Sequence, residues 1–155
     1  MTNKNNGSDK RVLLGILGER IIAKYLKNKN HDVEESLDMY NATRDMRVDG
    51  EDVEVKTLAP FYKYDAFSVN PSQLNKINNA SAVYWINVPP KKIHDVMAGF
   101  IFKMDPKIAK HKLVTINTGK QYAMFSRNQP GMEVVSMIKN EKILKQLQQL
   151  SASYL

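Results

Sequence analysis

Cysteine is absent from this chain of 155 residues, so disulfide bonds and thiolate-bound metal sites are excluded. The histidines His31, His94 and His111 are widely spaced and form no zinc-binding pattern, and we expect them at the surface. No apolar run of about 18 residues and no signal-peptide pattern occurs. We therefore expect a cytoplasmic protein without membrane partners.

Positive charge is in excess. Lysine and arginine total 23 against 16 aspartate and glutamate residues, which gives a formal net charge of +7 and a pI of about 9.5. A protein that holds a polyanion benefits from such a charge, and phosphate contacts of this kind weaken with salt. Scattered lysines are also common on solvated surfaces, so the total carries more weight than any single residue. The candidate phosphate contacts are Lys27, Lys29, Lys91, Lys92, Lys103, Lys107, Lys110, Lys112, Lys120 and Arg127.

The segment from 43 to 57 predicts a short hairpin with two acids facing each other. Asp49-Gly50 favours a two-residue type I′ turn, which would place Asp45 directly opposite Glu54. Opposed side chains lie about 4.5 to 5.5 Å apart at Cβ. A turn at Gly50-Glu51 would instead pair Asp45 with Lys56, and only a three-residue loop would separate these side chains. With alternating side chains, one face carries Asp45, Arg47, Asp52, Glu54 and Lys56, and the other carries Met46, Val48, Val53 and Val55.

Two carboxylates held this close repel each other, so one must be protonated, or both must meet cations or share a metal ion. Oxygen ligands suit Mg²⁺, with Mn²⁺ as a substitute, and we expect Asp45 and Glu54 as metal ligands with the Val55 carbonyl as a third. The Lys56 ammonium on the same face can orient or help deprotonate a water that attacks a phosphate. The chemistry indicated is metal-assisted phosphodiester hydrolysis, although charged residues around an Asp-Gly turn are often only a solvated edge.

Helices on both sides of the hairpin contribute two further candidates. Residues 9–28 have helix composition, and Glu19 falls on the apolar side of that helix, where it faces the interior. Asn70 and Pro71 predict the start of a second helix, which places Gln73 in its first turn. Gln73 could reach the hairpin or a substrate phosphate. The ordinary alternatives are that Glu19 pairs with a lysine or reaches solvent, and that Gln73 is simply exposed.

The remaining pattern predicts a single α/β domain over residues 9–155 after a flexible tail at 1–8. We expect a mixed central sheet of about five or six strands flanked by helices, with a C-terminal helix over 132–150 that covers the sheet or joins two subunits. The expected strands are 31–39, the hairpin strands around Asp49-Gly50, the buried run 81–88, 98–104, and a second hairpin formed by 113–117 and 121–126.

Over roughly residues 10 to 90 the pattern resembles the PD-(D/E)XK nuclease superfamily, the fold of many restriction enzymes and of archaeal-type Holliday junction resolvases. The resemblance implies a restriction endonuclease-like core made of a helix, a three-stranded antiparallel meander, a helix and a further strand. It implies the acid on the first helix at Glu19, the second-strand acid at Asp45, and the Glu-x-Lys pair at Glu54 and Lys56; Gln73 resembles a glutamine that recurs in several branches. The chain departs from the family's pattern at Arg44, where the family name has proline.

We therefore expect a Mg²⁺-dependent DNA endonuclease, either structure-selective like the Holliday junction resolvases or site-specific like restriction and homing enzymes. The resemblance implies in-line attack that leaves 5′-phosphate and 3′-hydroxyl ends. A homodimer or higher homo-oligomer is expected, because cutting both strands with one site per chain is easiest with two copies. The alternatives are a non-catalytic DNA- or RNA-binding protein of the same fold, a basic RNA-binding protein of unrelated function, and a structural or assembly protein that uses its last helix.

Overall fold

The computed structural model describes residues 6–35 and 46–151, and these ranges form three α-helices and nine β-strands. The helices are α1 (Asn6–Asn28), α2 (Leu74–Asn79) and α3 (Glu141–Leu150). The strands are β1 (Val33–Glu35), β2 (Met46–Val48), β3 (Glu51–Leu58), β4 (Ala66–Val69), β5 (Ala82–Asn87), β6 (Phe100–Met104), β7 (His111–Thr115), β8 (Gln121–Ser126) and β9 (Met132–Met137). Short 3₁₀ turns occupy Tyr62–Tyr64 and Pro71–Gln73.

Six strands form a mixed sheet in the order β1-β2-β3-β5-β6-β9. The strands β1, β2 and β3 form an antiparallel meander, β3 and β5 are parallel, and β5, β6 and β9 are antiparallel. The expected α/β class and the expected mixed sheet of about five or six strands are confirmed. A second, antiparallel sheet in the order β4-β8-β7 was not expected from the sequence.

The turn between β2 and β3 has the conformation that Asp-Gly predicts. Both Asp49 and Gly50 have positive φ, 51° and 83°, as a type I′ turn requires. The pairing register agrees with the prediction at each described position. These pairs are Met46 with Val53, Arg47 with Asp52, and Val48 with Glu51. Asp45 lies outside the described residues, so its pairing with Glu54 stays a prediction.

Both faces of the six-stranded sheet are packed, whereas the alternation of charged and apolar residues in the hairpin suggested that only the apolar face is packed. On one face, Val53 and Val55 belong to a core that includes Ile22 and Leu26 of α1. The side chains of Glu54 and Lys56 alternate to the opposite face, beside their register neighbours Val83 and Trp85 on β5. That face carries the second core, formed with α2 and the three-stranded sheet. Glu54 is therefore buried, whereas the Lys56 side chain stays partly exposed.

Trp85 lies at the centre of the second core. It is fully buried, and its ring stacks on Phe67 with centroids 5.1 Å apart and an interplanar angle of 5°. Phe125 of β8 packs against the same indole at 5.4 Å. Trp85, which lies in the run 81–88 that was expected to be buried, thus joins the two sheets.

The C-terminal helix expected over 132–150 is wrong in its first part. Residues Met132–Met137 form β9, which pairs antiparallel with β6, and α3 begins only at Glu141. The Asn140 side chain caps this helix by accepting hydrogen bonds from the backbone N–H groups of Lys142 and Ile143. A strand forms because β6 offers an open edge and the adjacent β-branched residues Val134 and Val135 suit extended backbone.

Arg127 is a structural residue, and its expected role as a phosphate contact is wrong. Its side chain is 6% exposed and pairs with Asp95 at 2.9 Å and with Asp65 at 2.5 Å. Asp95 also accepts hydrogen bonds from Tyr62 Oη and Asn87 Nδ2. Burial acts to raise the pKa of Asp95, but its hydrogen bonds with the Met97 N–H, Asn87, Tyr62 and Arg127 outweigh burial and hold that pKa below its usual value. The network fixes the loop that runs from β3 to β4.

A glycine allows α1 to lie directly on β3. A Cβ at Gly18 would stand 1.8 Å from Thr57 Oγ1, whereas a Cβ at Gly15 would meet nothing within 4 Å.

We expect Gly18→Ala to lower the free energy of unfolding by about 1–3 kcal/mol, as overpacking does. Gly15→Ala, the matched control on the same helix, should raise it by up to about 1 kcal/mol through helix propensity. Urea unfolding measures both, and equal effects of the two substitutions would contradict the close approach.

Breaking the Arg127 network should be costly because Asp95, whose side chain is 4% exposed, would keep its charge without its cation. Arg127→Met should lower the free energy of unfolding by about 3–5 kcal/mol. The control Arg47→Met removes a pair with Asp52 in which both side chains are exposed, and should cost at most about 1 kcal/mol.

The loss of unfolding free energy caused by Arg127→Met should also depend on pH. Since the folded-state pKa of Asp95 is lowered, its stabilisation is present above the unfolded-state pKa of about 3.9 and is lost as pH falls through the folded-state pKa. The difference between wild type and Arg127→Met, measured by urea unfolding, should therefore narrow below about pH 4. A difference that stays constant into strong acid would show that Asp95 does not carry the effect.

Candidate active site

A buried carboxylate lies at the centre of the candidate site. Glu54 is only 2% exposed, and its two oxygens face two different lysines. Oε2 lies 3.7 Å from Lys56 Nζ, and Oε1 lies 3.4 Å from Lys76 Nζ. Buried charges persist in folded proteins when they are paired, so the two ammonium groups stabilise the ionised form of Glu54.

Lys56 is held in place by Gln73. Its Nζ donates a hydrogen bond of 2.8 Å to Gln73 Oε1, and its side chain is 20% exposed. Gln73 ends the 3₁₀ turn Pro71–Gln73, whose first turn is capped by Asn70 Oδ1 accepting from the Ser72 N–H at 3.0 Å. Of the two sequence-based alternatives for Gln73, the structure shows contact with the hairpin. Lys56 is consequently fixed by β3 on one side and by the entry to α2 on the other.

Lys76 was not identified from the sequence. It lies three residues after Gln73, and residues at this spacing share one side of a helix. Its side chain is 25% exposed and its ammonium contacts the same carboxylate as Lys56. The available signal was the helical spacing from Gln73, but the sequence did not show that α2 packs over Glu54.

The other predicted site residues are placed as follows. Glu19 is half-buried on α1, and α1 covers the face of the sheet opposite to the Glu54 side chain. The Val55 side chain packs with α1, and its backbone lies in β3 in register with Tyr84. Asp45 lies outside the described residues. The metal-ligand roles of Glu19, the Val55 carbonyl and Asp45 stay predictions.

The hairpin that carries Glu54 is anchored at its turn. The Asp49 carboxylate accepts a hydrogen bond from the Asp32 N–H at 2.9 Å and lies 2.7 Å from His31 Nδ1. The hydrogen bond with His31, followed by that from Asp32, lowers the pKa of Asp49. Both side chains of the His31–Asp49 pair are solvent-accessible, so it acts as a positional tie between the end of α1 and the turn.

A hard divalent cation fits this donor set only with a second acid. Within residues 6–35 and 46–151, no three acidic or histidine side chains gather in a way that could hold a metal ion. Glu54 supplies the oxygen donors that Mg²⁺ and Mn²⁺ prefer. A metal ion at this site would therefore depend on the predicted Asp45 as a second carboxylate.

Comparison with known proteins found no matching family model, no matching curated protein and no matching solved structure. In the described part of the chain, no helix combines the length and the apolar character needed to cross a membrane. The case for a function therefore rests on the geometry around Glu54.

Neutralising Glu54 should destabilise the protein in the absence of metal. Glu54→Gln leaves two lysine ammonium groups close together and mostly shielded from solvent, so we expect a loss of about 3–5 kcal/mol in unfolding free energy in EDTA. The control Glu51→Gln changes an exposed acid on the same strand and should alter stability by less than about 0.5 kcal/mol. An increase in stability for Glu54→Gln would mean that repulsion between Glu54 and the predicted Asp45 outweighs the pairing of Glu54 with the two lysines.

Proposed function

We propose that the chain is a Mg²⁺-dependent endonuclease that hydrolyses phosphodiester bonds in DNA. The observation that supports this most strongly is the arrangement of Glu54, Lys56 and Gln73: a buried acid, a lysine two residues later on the same face, and an amide that holds that lysine. An ion pair that only stabilises a strand does not require a side chain from another element to orient its lysine, as Gln73 does for Lys56. Fixed position is what a group that orients an attacking water requires.

The chain order of elements also supports the proposal. A helix, an antiparallel meander of three strands, a helix, and a strand parallel to the third strand occur as α1, β1, β2, β3, α2 and β5. This is the order that the resemblance to the PD-(D/E)XK superfamily implies. The chain adds β4 between β3 and α2, and it adds β6 to β9 and α3 after β5.

The proposed roles follow from the positions. Asp45, Glu54 and the Val55 carbonyl hold Mg²⁺, and Glu19 holds a second ion or an ordered water. Mg²⁺ held by these residues would supply Lewis-acid polarisation of a phosphate and of a water molecule. Lys56, kept in place by Gln73, orients that water and takes part in its deprotonation.

The substrate and assembly are also proposed. The net charge of +7 supports a polyanionic partner, and we propose DNA, cut either at branched structures or at specific sites.

A homodimer is the proposed assembly. Among the described residues, β9 ends the six-stranded sheet and leaves Val134 49% and Met137 46% exposed, which supports an interface along that edge. We propose a cytoplasmic location.

One observation favours a second candidate, a nucleic-acid-binding protein of the same fold that does not cut. The ammonium groups of Lys56 and Lys76 are sufficient to neutralise the Glu54 carboxylate. A binding protein that had no need of a metal would be stable with this arrangement. Binding without cleavage in every metal would support that candidate.

The decisive experiment incubates purified protein with labelled duplex, single-stranded, flap and four-way-junction DNA in Mg²⁺, Mn²⁺ or EDTA. We expect cleavage of at least one substrate with either metal and none in EDTA. Lys56→Ala should lower the rate by about 10²–10⁴-fold, the range for losing a proton-transfer group. Gln73→Ala should lower it less, since Lys56 stays present but less fixed.

The control for charge loss is Lys24→Ala, which removes an exposed lysine of α1 and should leave the cleavage rate unchanged. Thermal unfolding of each variant separates loss of catalysis from loss of fold. Metal-dependent cleavage that survives in Lys56→Ala at the wild-type rate would refute the assigned role, and absence of cleavage on all four substrates would refute the nuclease.

A further inference from the structure

We propose that the hairpin of β7 and β8 is a DNA-binding arm, which contacts phosphates of a duplex through Lys110, Lys112 and Lys120 and places that duplex beside Lys56. The β7–β8 arm comprises residues 110–122. It lies outside the site around Glu54, and its binding needs no metal ion. That its polyanionic partner is DNA rests on the proposed function.

The tip of the arm extends beyond the sheet to which its base belongs. β4 ends at Val69, which pairs with Ala123 of β8, whereas β8 and β7 stay paired as far as Gln121 and Thr115. Residues 114–122 therefore continue past β4 as a two-stranded ribbon, and none of them is buried. A ribbon of two strands is one of the shapes that the major groove of B-DNA admits.

The arm carries positive charge without nearby acids in the sequence. No aspartate or glutamate occurs between Asp105 and Glu133. Lys110, Lys112 and Lys120 are exposed, and within the described ranges 6–35 and 46–151 none of the three forms an ion pair. The arm therefore presents uncompensated positive charge, which attracts a polyanion.

Two of these lysines lie on the same face of the arm. Ala123 points into the second core, so its neighbours Tyr122 and Met124 alternate to the opposite face. Lys112 pairs with Met124 and shares that face. The ammonium of Lys120 lies 5.2 Å from the centroid of the Tyr122 ring, which places it on the same face. One face of the arm thus offers two cations together.

The spacing of the lysines suits a row of phosphates. The Ile116 N–H donates to the Lys120 carbonyl at 2.9 Å, so Lys120 stands opposite Ile116, four positions along the ribbon from Lys112. Four positions are about 13 Å of strand, a length over which one DNA strand carries about four phosphates. Each ammonium can therefore contact a separate phosphate. Lys110, directly before β7, extends the row.

The arm projects from the end of the second sheet that leads to the candidate active site. Val69 ends β4, and the 3₁₀ turn Pro71–Gln73 follows it in the chain. Because Ala123 pairs with Val69, the tip and this turn both lie past the same end of the sheet. Gln73 accepts the 2.8 Å hydrogen bond of Lys56. DNA bound along the arm would therefore lie close to Lys56.

A lipid surface is the competing partner for a basic arm, and Leu113 is 53% exposed. Binding to a lipid interface scales with the apolar area that it buries. The tip is instead polar and exposed at Asn117, Thr118 and Gln121. Amide and hydroxyl groups donate to and accept from base edges. The composition of the tip therefore favours nucleic acid.

The first test measures binding of a labelled duplex by fluorescence anisotropy in EDTA at several salt concentrations. In the arm variant, Lys110, Lys112 and Lys120 are all replaced by glutamine. It should bind about 10-fold or more weakly at low salt. Its slope of log affinity against log salt should be shallower by about 2–3, since each lost phosphate contact removes about 0.9.

The matched control removes the same charge from another element. Lys139, Lys142 and Lys145 are exposed at or near the start of α3, and replacing all three by glutamine should leave the slope unchanged. Thermal unfolding checks that both variants remain folded. Equal losses of slope in the two variants would show that total charge alone binds DNA, and would overturn the arm.

The second test locates the tip on the DNA. Because the chain has no cysteine, Thr118→Cys introduces a single thiol to which a photo-activated cross-linker can be attached. Irradiation should join this variant to the labelled duplex. Gln146→Cys, at an exposed position of α3, is the control and should give little cross-linking. Equal cross-linking from both positions would overturn the placement of the tip.

Vesicles of anionic phospholipid test the competing partner. Vesicle binding that the arm variant loses, with no binding of duplex DNA by wild type, would overturn the proposal and assign the arm to a membrane. Tighter binding of single-stranded than of duplex DNA, lost in the arm variant, would overturn the assignment to a duplex.

Failure of the nuclease is distinguishable from failure of the arm. Arm-dependent binding in EDTA, with no cleavage in Mg²⁺ or Mn²⁺, would refute the nuclease while the arm stands. If the protein cuts, the arm variant should show a raised KM and a kcat near that of wild type, as loss of uniform binding does. Cleavage with unchanged KM and salt dependence in the arm variant would refute only the arm.

Discussion

The burial of Glu54 is the constraint on which the site depends. A carboxylate that is 2% exposed stays ionised only if cations accompany it, and here the cations come from two elements, β3 and α2. The packing of α2 against the sheet therefore has an electrostatic role as well as an apolar one. Ile77, next to Lys76 in sequence, is fully buried in the second core and keeps the ammonium close to the acid.

Enclosure on both faces explains how the site can be rigid. Gly18 brings α1 onto β3 from one side, and Trp85 with the second sheet closes the other. Asp65, at the end of the loop from β3 to β4, pairs with Arg127, which also pairs with Asp95. Gln73 follows β4 at the end of the 3₁₀ turn that Asn70 caps. The position of Gln73 relative to Lys56 is thus determined at both ends of the intervening chain, which local sequence alone could not ensure.

Short sequence motifs correctly predicted the turns whose conformation they determine. Asp49-Gly50 fixed the described hairpin register, and Asn70-Pro71 fixed the turn that presents Gln73. The pairing of the predicted hairpin 113–117 and 121–126 with β4 in a second sheet, and the pairing of β9 with β6, were missed because those partner strands lie far away along the chain. The apolar residues of 132–137 do not alternate strictly, so their pattern did not separate strand from helix. Lys76 was missed for the same reason, since its role depends on where α2 packs. The predicted pairing of Asp45 with Glu54 lies outside the described residues.

Charge balance links the resting site to its proposed loaded state. Among Glu54, Lys56 and Lys76 there are two positive charges and one negative, an excess of one positive. The predicted Asp45 carboxylate would cancel that excess, which removes the repulsion that two adjacent acids would otherwise suffer without a metal. A divalent cation would add two charges to a neutral set. An anionic phosphate in contact with that cation would offset one of those charges, so in the proposed loaded state the substrate and the metal would stabilise each other's binding.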